Sequence, residues 1–290
     1  MNPGTYRFHL GRFGCIAILD DLPRYPIDMF LTNLSKATYA PLLAARGEDV
    51  DFVDLPYICL FVDTGRLRVL VDTGSGVNSD RPTSGQLLPL LRAHGVQPDQ
   101  IDLVILTHGH GDHVGGCLDA SGRPVFSNAR HVLSRCEWDF WMSEPALDEL
   151  PVDAAFKRRM LTSALTNLRG VQQQLELIQL DAELAQGINA IDAFGHSPGH
   201  MAVEMTSDGE RLLFVADAIV LPLHVEYPET IGVTDHQRDE TVATRIRLLE
   251  YAARERALVA TSHLAFPGVG HVRPKGRRWQ WQAVGISASV

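Results

Sequence analysis

The sequence predicts an α/β fold of four layers, in which two mixed β-sheets pack face to face and helices cover their outer faces. In both halves of the chain, strand-like runs lead into polar loops rich in glycine, histidine and aspartate, which favours two sheets packed against each other. Amphipathic segments lie between these runs and predict outer helices, most clearly at 85–94 and 241–254.

The first half of the chain is dominated by predicted strands. The turn-forming sequence Asp63-Thr64-Gly65-Arg66 joins two apolar runs and predicts a hairpin. Four leucines between 85 and 94 supply one apolar helix face. In chain order, the expected elements are strands at 13–19, 58–62 and 67–71, a helix at 85–94 and a strand at 104–106.

The second half repeats this pattern after a mostly helical, amphipathic stretch at 145–174. A Ser207-Asp208-Gly209 turn separates two of its apolar runs and predicts a second hairpin. The expected elements are strands at 175–180, 188–194, 203–206 and 212–215, a helix at 241–254 and a strand at 258–261.

The length of 290 residues permits one large domain. No linker divides the sequence cleanly, so we expect residues 1–290 to form a single domain. Segment 27–50 is irregular, with prolines and short helix-like patches. A lid or a dimerisation arm is one interpretation of this segment, and a surface excursion is the favoured one.

Composition excludes several classes of function. The net charge of −9 and the lack of a Lys/Arg-rich block disfavour nucleic acid as a partner. No apolar run is long enough to cross a bilayer, so no membrane association is expected. The amino terminus lacks a secretion-signal pattern, which predicts a cytoplasmic protein. The four scattered cysteines are expected to be reduced core thiols rather than disulfides.

The most informative motif is Thr107-His108-Gly109-His110-Gly111-Asp112-His113, which follows a predicted strand directly. Four side chains that can bind a metal fall within six positions, a spacing that chance histidines do not readily produce. Imidazole and carboxylate ligands together suit zinc, iron, manganese or cobalt, and mixed ligation of this kind is typical of catalytic metal sites. The motif therefore predicts a catalytic metal site.

Three further residues, each just past a strand-like run, complete a candidate ligand set. They are His200, Asp217 and His263. Loops at strand ends are where a rigid scaffold presents ligands to one point. His196, four residues before His200, is expected to make a loop-stabilising hydrogen bond rather than to bind metal.

In this order and spacing, the seven residues resemble the metallo-β-lactamase superfamily, whose fold is an αββα sandwich with a two-metal site at its edge. The resemblance extends from the strand at 58 to His263 and beyond. It implies that one metal takes His108, His110 and His200 and that a second takes Asp112, His113 and His263, with Asp217 bridging them. It also implies that Asp72 supports the metal loop without binding a metal itself.

The segment 260–272 and the start at Tyr6 resemble methyl parathion hydrolase and the N-acyl-homoserine lactonase-like subgroup. The sequence after Asp217 departs from that pattern, because it has no clear match to a tyrosine that several lactonases place there. Tyr227 is the candidate replacement. His224 and His271 are further candidates for the substrate pocket.

The expected function is a dinuclear metallohydrolase that opens a lactone or cleaves an ester or organophosphate triester. Two divalent metals per chain, zinc first and iron, manganese or cobalt as alternatives, would lower the pKa of a shared water. Asp112 would pass its proton to the leaving group. The alternatives are a persulfide dioxygenase-like iron oxidoreductase, a glyoxalase II-like thioesterase and a non-catalytic binding module. A small-molecule substrate and a homodimer are also expected.

Overall fold

The structure, a computed structural model, describes residues 4–77, 81, 83–145 and 147–285. Residues 1–3 belong to the amino-terminal stretch on which the expected lack of a secretion signal depends, and they lie outside these ranges.

Strands make up most of the regular structure. In chain order they are β1 Thr5–Leu10, β2 Phe13–Asp21, β3 Arg24–Pro26, β4 Phe52–Asp54, β5 Tyr57–Asp63, β6 Arg68–Val71, β7 Leu103–Ile105, β8 Arg130–Ser134, β9 Leu175–Ile178, β10 Ala182–Ala185, β11 Ile188–Asp192, β12 Met201–Ser207, β13 Glu210–Phe214, β14 Leu258–Ala260, β15 Val269–Lys275 and β16 Arg278–Ala283. Over the described residues they form two seven-stranded sheets, ordered β1-β2-β5-β6-β7-β8-β9 and β10 to β16 in sequence, and a small two-stranded β3-β4 sheet.

Seven α-helices lie outside or at the edge of the sheets in the described ranges. They are α1 Lys36–Ala44, α2 Leu87–Ala93, α3 Gly111–Val114, α4 Arg135–Met142, α5 Ala154–Gly170, α6 Pro222–Glu226 and α7 Arg238–Glu255. Short 3₁₀ turns connect several elements, including Ile27–Phe30 and Ala216–Ala218.

Successive strand residues point to opposite faces, and this alternation builds the layers. On β7, Ile105 joins the core between the two sheets, whereas Val104 packs beneath the outer helices. In the second sheet, Phe214 faces the inter-sheet core and Leu213 packs with the inner face of α7. The order is therefore helix, sheet, sheet, helix, and the predicted four-layer fold is confirmed.

The parallel strand pairs β6-β7 and β13-β14 position the candidate residues. Strands that run in the same direction end at the same edge of a sheet, so the loops that follow them are neighbours. Asp72 and the His108 loop follow the first pair, and Asp217 and His263 follow the second. Both sheets thus deliver their loops to one edge of the sandwich.

Segment 27–50 packs on its own chain. Ile27, Leu31 and Leu43 form an apolar cluster with Leu55 and Leu221. The favoured surface excursion is therefore an incomplete description, because the segment also contributes Met29 and Phe30 to the cavity described below.

Three of the cysteines are buried and free, as expected, but Cys136 is free and exposed. None of the helices in the described ranges is long and apolar enough to cross a bilayer. The single domain, the homodimer and the cytoplasmic location stay predictions.

Candidate metal centre

The loop after β7 brings its histidines inward because its glycines allow close packing. A Cβ atom at Gly109 would lie 2.3 Å from Nε1 of Trp141, so a larger residue there would push the loop away from α4. His110 occupies the N-cap position of α3, and Asp112 and His113 lie in the first turn of that helix. One short segment therefore presents four polar side chains to the same region, two for each of the clusters described below.

Three imidazoles and a carboxylate form the first cluster: His108, His110, His196 and Asp217. Nδ1 of His110 lies 2.9 Å from Nε2 of His108 and 3.0 Å from Nε2 of His196. Oδ2 of Asp217 lies 3.2 Å from Nε2 of His196. All four residues are buried, so these nitrogen and oxygen atoms face one small enclosed point.

The second cluster contains Asp112, His113 and His263. Oδ2 of Asp112 lies 3.6 Å from Nε2 of His113 and 3.5 Å from Nε2 of His263. Both Nε2 atoms lie 3.1 Å from Oδ1 of Asp217. Asp217 thus turns one oxygen toward each cluster and joins them.

Partners on the far side of the rings fix the orientation of three histidines. Nδ1 of His113 lies 2.7 Å from Oδ2 of Asp72, and Nδ1 of His196 lies 2.8 Å from Oδ1 of Asp235. Nδ1 of His263 donates to the carbonyl of Pro56 at 2.8 Å. Outer partners of this kind select the tautomer and leave Nε2 as the free lone pair, which is the usual arrangement around metal-binding histidines.

Asp72 supports the metal loop directly. Its carboxylate accepts hydrogen bonds from the backbone N–H of Thr107 at 2.8 Å and from the Thr107 hydroxyl at 2.9 Å, besides its contact with His113. The Asp72 backbone has a φ of 60°, a left-handed conformation that is costly for a residue with a Cβ.

The two clusters contain buried nitrogen and oxygen atoms without hydrogen-bond partners, and these atoms could bind a divalent metal. Nε2 of His113 and Oδ1 of Asp217 are buried and have no hydrogen-bond partner among the described residues, although both point into the clusters. Buried polar atoms without a partner are costly. Nitrogen and oxygen donors of this kind are those that zinc and similar divalent ions accept.

Burial and charge act in opposite directions within the site. Burial lowers the pKa of His108 and of His110 well below the usual histidine range. Burial also disfavours a charged His113, but the surrounding carboxylates, Asp217 first, outweigh it and raise its pKa. For Asp217, burial favours protonation, but His263 and His113 outweigh it and hold its pKa well below the usual range. Metal binds neutral imidazoles and ionised carboxylates, so a bound ion would displace the proton that the carboxylates favour on His113.

The structure places His196, and not His200, in the first cluster, whereas the family resemblance implied His200 as a ligand. His200 uses both ring nitrogens on the backbone: Nδ1 donates to the carbonyl of Ala193 at 2.9 Å, and Nε2 accepts the N–H of Asp217 at 3.2 Å. Burial lowers its pKa to about 3. His200 therefore positions the residue that joins the clusters.

A cavity of about 420 Å³ opens beside the two clusters. Asp112, Asp217, His110 and His263 form its polar floor. Its other lining residues include Tyr25, Met29, Phe30, Leu55, Tyr57, Ser75, Arg81, Phe156, Arg159, Met160, Ser163, Val220 and Val233.

The three pocket candidates from the sequence lie elsewhere, because each is held by other contacts. His224 donates from Nε2 to the carbonyl of Phe30 at 2.9 Å, and so anchors the segment that carries Phe30. The guanidinium of Arg278 lies over the ring of Tyr227, 4.4 Å from the centroid of that ring. Nδ1 of His271 lies 3.0 Å from the carbonyl of Ala257. None of the three lines the cavity.

Sequence reasoning missed four residues that the site uses: Tyr25, Tyr57, Glu137 and Asp235. Asp235 orients His196, and Glu137 accepts hydrogen bonds from both histidine-bearing loops. None of them belongs to a spaced motif, so only their positions in space mark them.

Comparison with known proteins agrees with this geometry. A sequence profile of the metallo-β-lactamase superfamily matches residues 55–263. An N-acyl homoserine lactonase of Bacillus cereus is 24% identical over 233 residues, which cover 73% of this chain and 83% of that protein. An N-acyl homoserine lactonase of a Bacillus species is 26% identical over 234 residues, or 73% of this chain and 83% of that protein.

Solved structures extend the similarity over almost the whole chain. AidC, a dizinc quorum-quenching lactonase, has a TM-score of 0.89 and 26% identity, with 97% of this chain and 98% of that chain covered. The hydrolase AbOPH has a TM-score of 0.89 and 26% identity, with 98% and 99% covered.

These relatives are hydrolases, and they confirm the predicted subgroup. They favour hydrolysis over the oxidoreductase alternative. The buried histidines and carboxylates support binding of divalent metal. The chain is a metallohydrolase and belongs to the metallo-β-lactamase superfamily.

Proposed function

We propose that this chain opens the lactone ring of N-acyl homoserine lactones with two zinc ions per chain. The position of Asp217 carries the proposal, because its two oxygens lie 3.2 Å and 3.1 Å from imidazole nitrogens of separate clusters. The activity named for AidC and for the Bacillus relatives supports the choice of substrate.

Each cluster would hold one metal ion. His108, His110, His196 and Oδ2 of Asp217 would hold the first ion. Asp112, His113, His263 and Oδ1 of Asp217 would hold the second. When bound, the two ions supply hydroxide at neutral pH and Lewis-acid stabilisation of an acyl oxygen.

Asp112 is the group placed to move a proton. Its side chain is 22% exposed and lines the cavity, whereas the side chain of Asp217 is only 7% exposed. A carboxylate at the cavity floor can accept a proton from the attacking water and return it to the leaving oxygen. The ring-opened product then carries a hydroxyl and a carboxylate.

The cavity suits an acyl chain next to this polar floor. Met29, Phe30 and Leu55 come from the amino-terminal half, and Val220 and Val233 from the loops near Asp217. Such a wall excludes water from the acyl chain, and burial of each methylene group against it stabilises the bound substrate by about 0.8 kcal/mol. A volume of about 420 Å³ lies within the usual range of small-molecule sites.

The test combines metal analysis with a substrate panel. The purified protein, loaded with zinc, should hold about two ions per chain. It should release protons from N-hexanoyl homoserine lactone faster than it cleaves an aryl ester or a phosphotriester. Asp217→Asn should lower kcat/KM on the lactone by a factor of about 100 or more, because it removes the charge that both clusters share.

The matched control is Asp208→Asn. Asp208 lies in the β12–β13 turn with a φ of 50°, which asparagine tolerates, and its salt bridge to Arg12 is exposed. This variant should retain full activity. A protein that binds two zinc ions and leaves every lactone intact would refute the proposed substrate.

A further inference from the structure

A pair of tyrosine hydroxyls lies in the cavity on the side of the second cluster. Tyr25 belongs to β3 and Tyr57 begins β5, and their hydroxyl oxygens are 2.6 Å apart. Both residues line the cavity with Asp112 and His263. The ring of Tyr57 meets the ring of His263 edge to face, with centroids 5.5 Å apart.

The surroundings hold this pair in place. The guanidinium of Arg81 lies 5.5 Å from the ring centroid of Tyr57, and its Nη1 lies 3.1 Å from Oδ2 of Asp21. The side chain of Asp21 is fully buried, so this ion pair anchors Arg81. Tyr25 packs edge to face on Phe30, with centroids 6.1 Å apart. Both tyrosines are therefore held by neighbouring side chains of the same cavity wall.

The hydrogen-bond count leaves one proton for a ligand. In a pair of hydroxyls, one O–H donates to the other oxygen, and the second O–H stays free to donate elsewhere. Tyr57 is only 6% exposed, whereas Tyr25 is partly exposed at the cavity. Donation from Tyr57 to Tyr25 leaves the free O–H on the more accessible residue.

We propose that Tyr25, positioned by Tyr57 and Arg81, donates a hydrogen bond to the leaving oxygen of the substrate. This inference rests on the proposed function, in which Asp112 returns its proton to that oxygen. Both tyrosines line the same cavity as Asp112, so a leaving oxygen that takes its proton from Asp112 would lie in the cavity that they line. As the acyl C–O bond breaks, the electron pair stays on the leaving oxygen, the proton from Asp112 neutralises it, and Tyr25 keeps its own proton.

A donor aimed at developing charge lowers the barrier most when the leaving atom is a strong acceptor. An alkoxide oxygen is a strong acceptor, whereas sulfur is a weak one. Comparison of N-hexanoyl homoserine lactone with its thiolactone changes this atom and keeps the ring and the acyl chain. The structure therefore assigns Tyr25 a role that depends on the identity of the leaving atom.

The experiment measures Tyr25→Phe, Tyr57→Phe and Tyr39→Phe in the zinc-loaded protein. Tyr39 is the control, since it is buried in α1, packs in the same apolar cluster as Tyr25 and Tyr57, and does not line the cavity. Tyr25→Phe should lower kcat on the lactone by a factor of about 10 to 100, with KM little changed. Its loss on the thiolactone should be less than about threefold. Tyr57→Phe should show a smaller loss with the same selectivity, and Tyr39→Phe none.

A second readout does not depend on turnover. The ring-opened product N-hexanoyl homoserine carries the former leaving oxygen as a hydroxyl, and Tyr25→Phe should weaken its binding about tenfold in calorimetry, as for one lost hydrogen bond. Zinc content should stay unchanged. Equal losses of Tyr25→Phe on lactone and thiolactone, or no loss on the lactone, would overturn the role of Tyr25. The proposed function would still hold in that case, provided that the wild type turns over the lactone. Absence of lactone turnover by the wild type would instead remove the proposed function.

Discussion

Glu137 connects the two loops that carry most of the first cluster, and its replacement by glutamine is the sharpest test of how the site is held. Its Oε1 accepts hydrogen bonds from the N–H of Gly109 at 2.9 Å and from Nε1 of Trp141 at 2.6 Å. Its Oε2 accepts from the hydroxyl of Ser197 at 2.6 Å and from the N–H of Gly199 at 2.9 Å. The residue is 0% exposed, so water cannot replace these partners.

The loss of stability expected for Glu137→Gln follows from these four hydrogen bonds. In Glu137→Gln, the remaining oxygen keeps Gly109 and Trp141, and the hydroxyl of Ser197 can rotate to accept from the new amide. The backbone N–H of Gly199 can only donate, so its hydrogen bond to the carboxylate, worth about 1.5–3 kcal/mol, becomes a contact between two donors. The other bonds weaken from charged to neutral acceptors, while the amide is cheaper to bury than the carboxylate. We expect a net destabilisation of roughly 2–4 kcal/mol.

Urea unfolding followed by circular dichroism measures the stability, and a competing chromophoric chelator measures zinc affinity. The melting temperature should fall by about 5–10 °C. Zinc affinity should fall about 10- to 100-fold, because partners behind the ligands hold the loops in place. Glu149→Gln is the control, since Glu149 is exposed. A Glu137→Gln protein within about 0.5 kcal/mol of wild type, with unchanged zinc affinity, would refute the reasoning.

Three further outcomes are expected. His196→Ala should reduce bound zinc from about two ions to about one per chain, whereas His200→Gln should keep both, as elemental analysis would show; the reverse result would restore His200 as the ligand. Removal of metal by a chelator should lower the melting temperature, and zinc at 100 times its Kd should restore about 2.7 kcal/mol; an unchanged melting temperature would contradict metal binding to the folded state. Burial lowers the pKa of His131 to about 4, so the unfolded chain binds a proton that the folded chain does not, and stability should fall as pH drops from about 6.5 to about 4. In His131→Phe, the fall in the free energy of unfolding between about pH 6.5 and about pH 4, measured in urea titrations, should be about 3 kcal/mol smaller than in wild type. An equal fall in the two proteins would contradict this expectation.

The sequence by itself determined the features that are encoded locally. Apolar strand-like runs that lead into polar loops, together with amphipathic segments, predicted the layers, because side-chain direction follows directly from backbone period. The spacing from His108 to His113 predicted a metal loop for the same reason, since a strand end and one helical turn constrain where four adjacent side chains can point.

Tertiary structure decided what depends on contacts between distant segments. His196 and His200 share one loop and one residue type, and only the partners behind the rings, Asp235 for one and the Ala193 carbonyl for the other, select which Nε2 joins the cluster. The Tyr25–Tyr57 pair joins residues 32 positions apart, on two strands of different sheets, and no motif encodes it. Loop conformation follows from long-range packing and hydrogen bonding, and a local pattern carries no information about either.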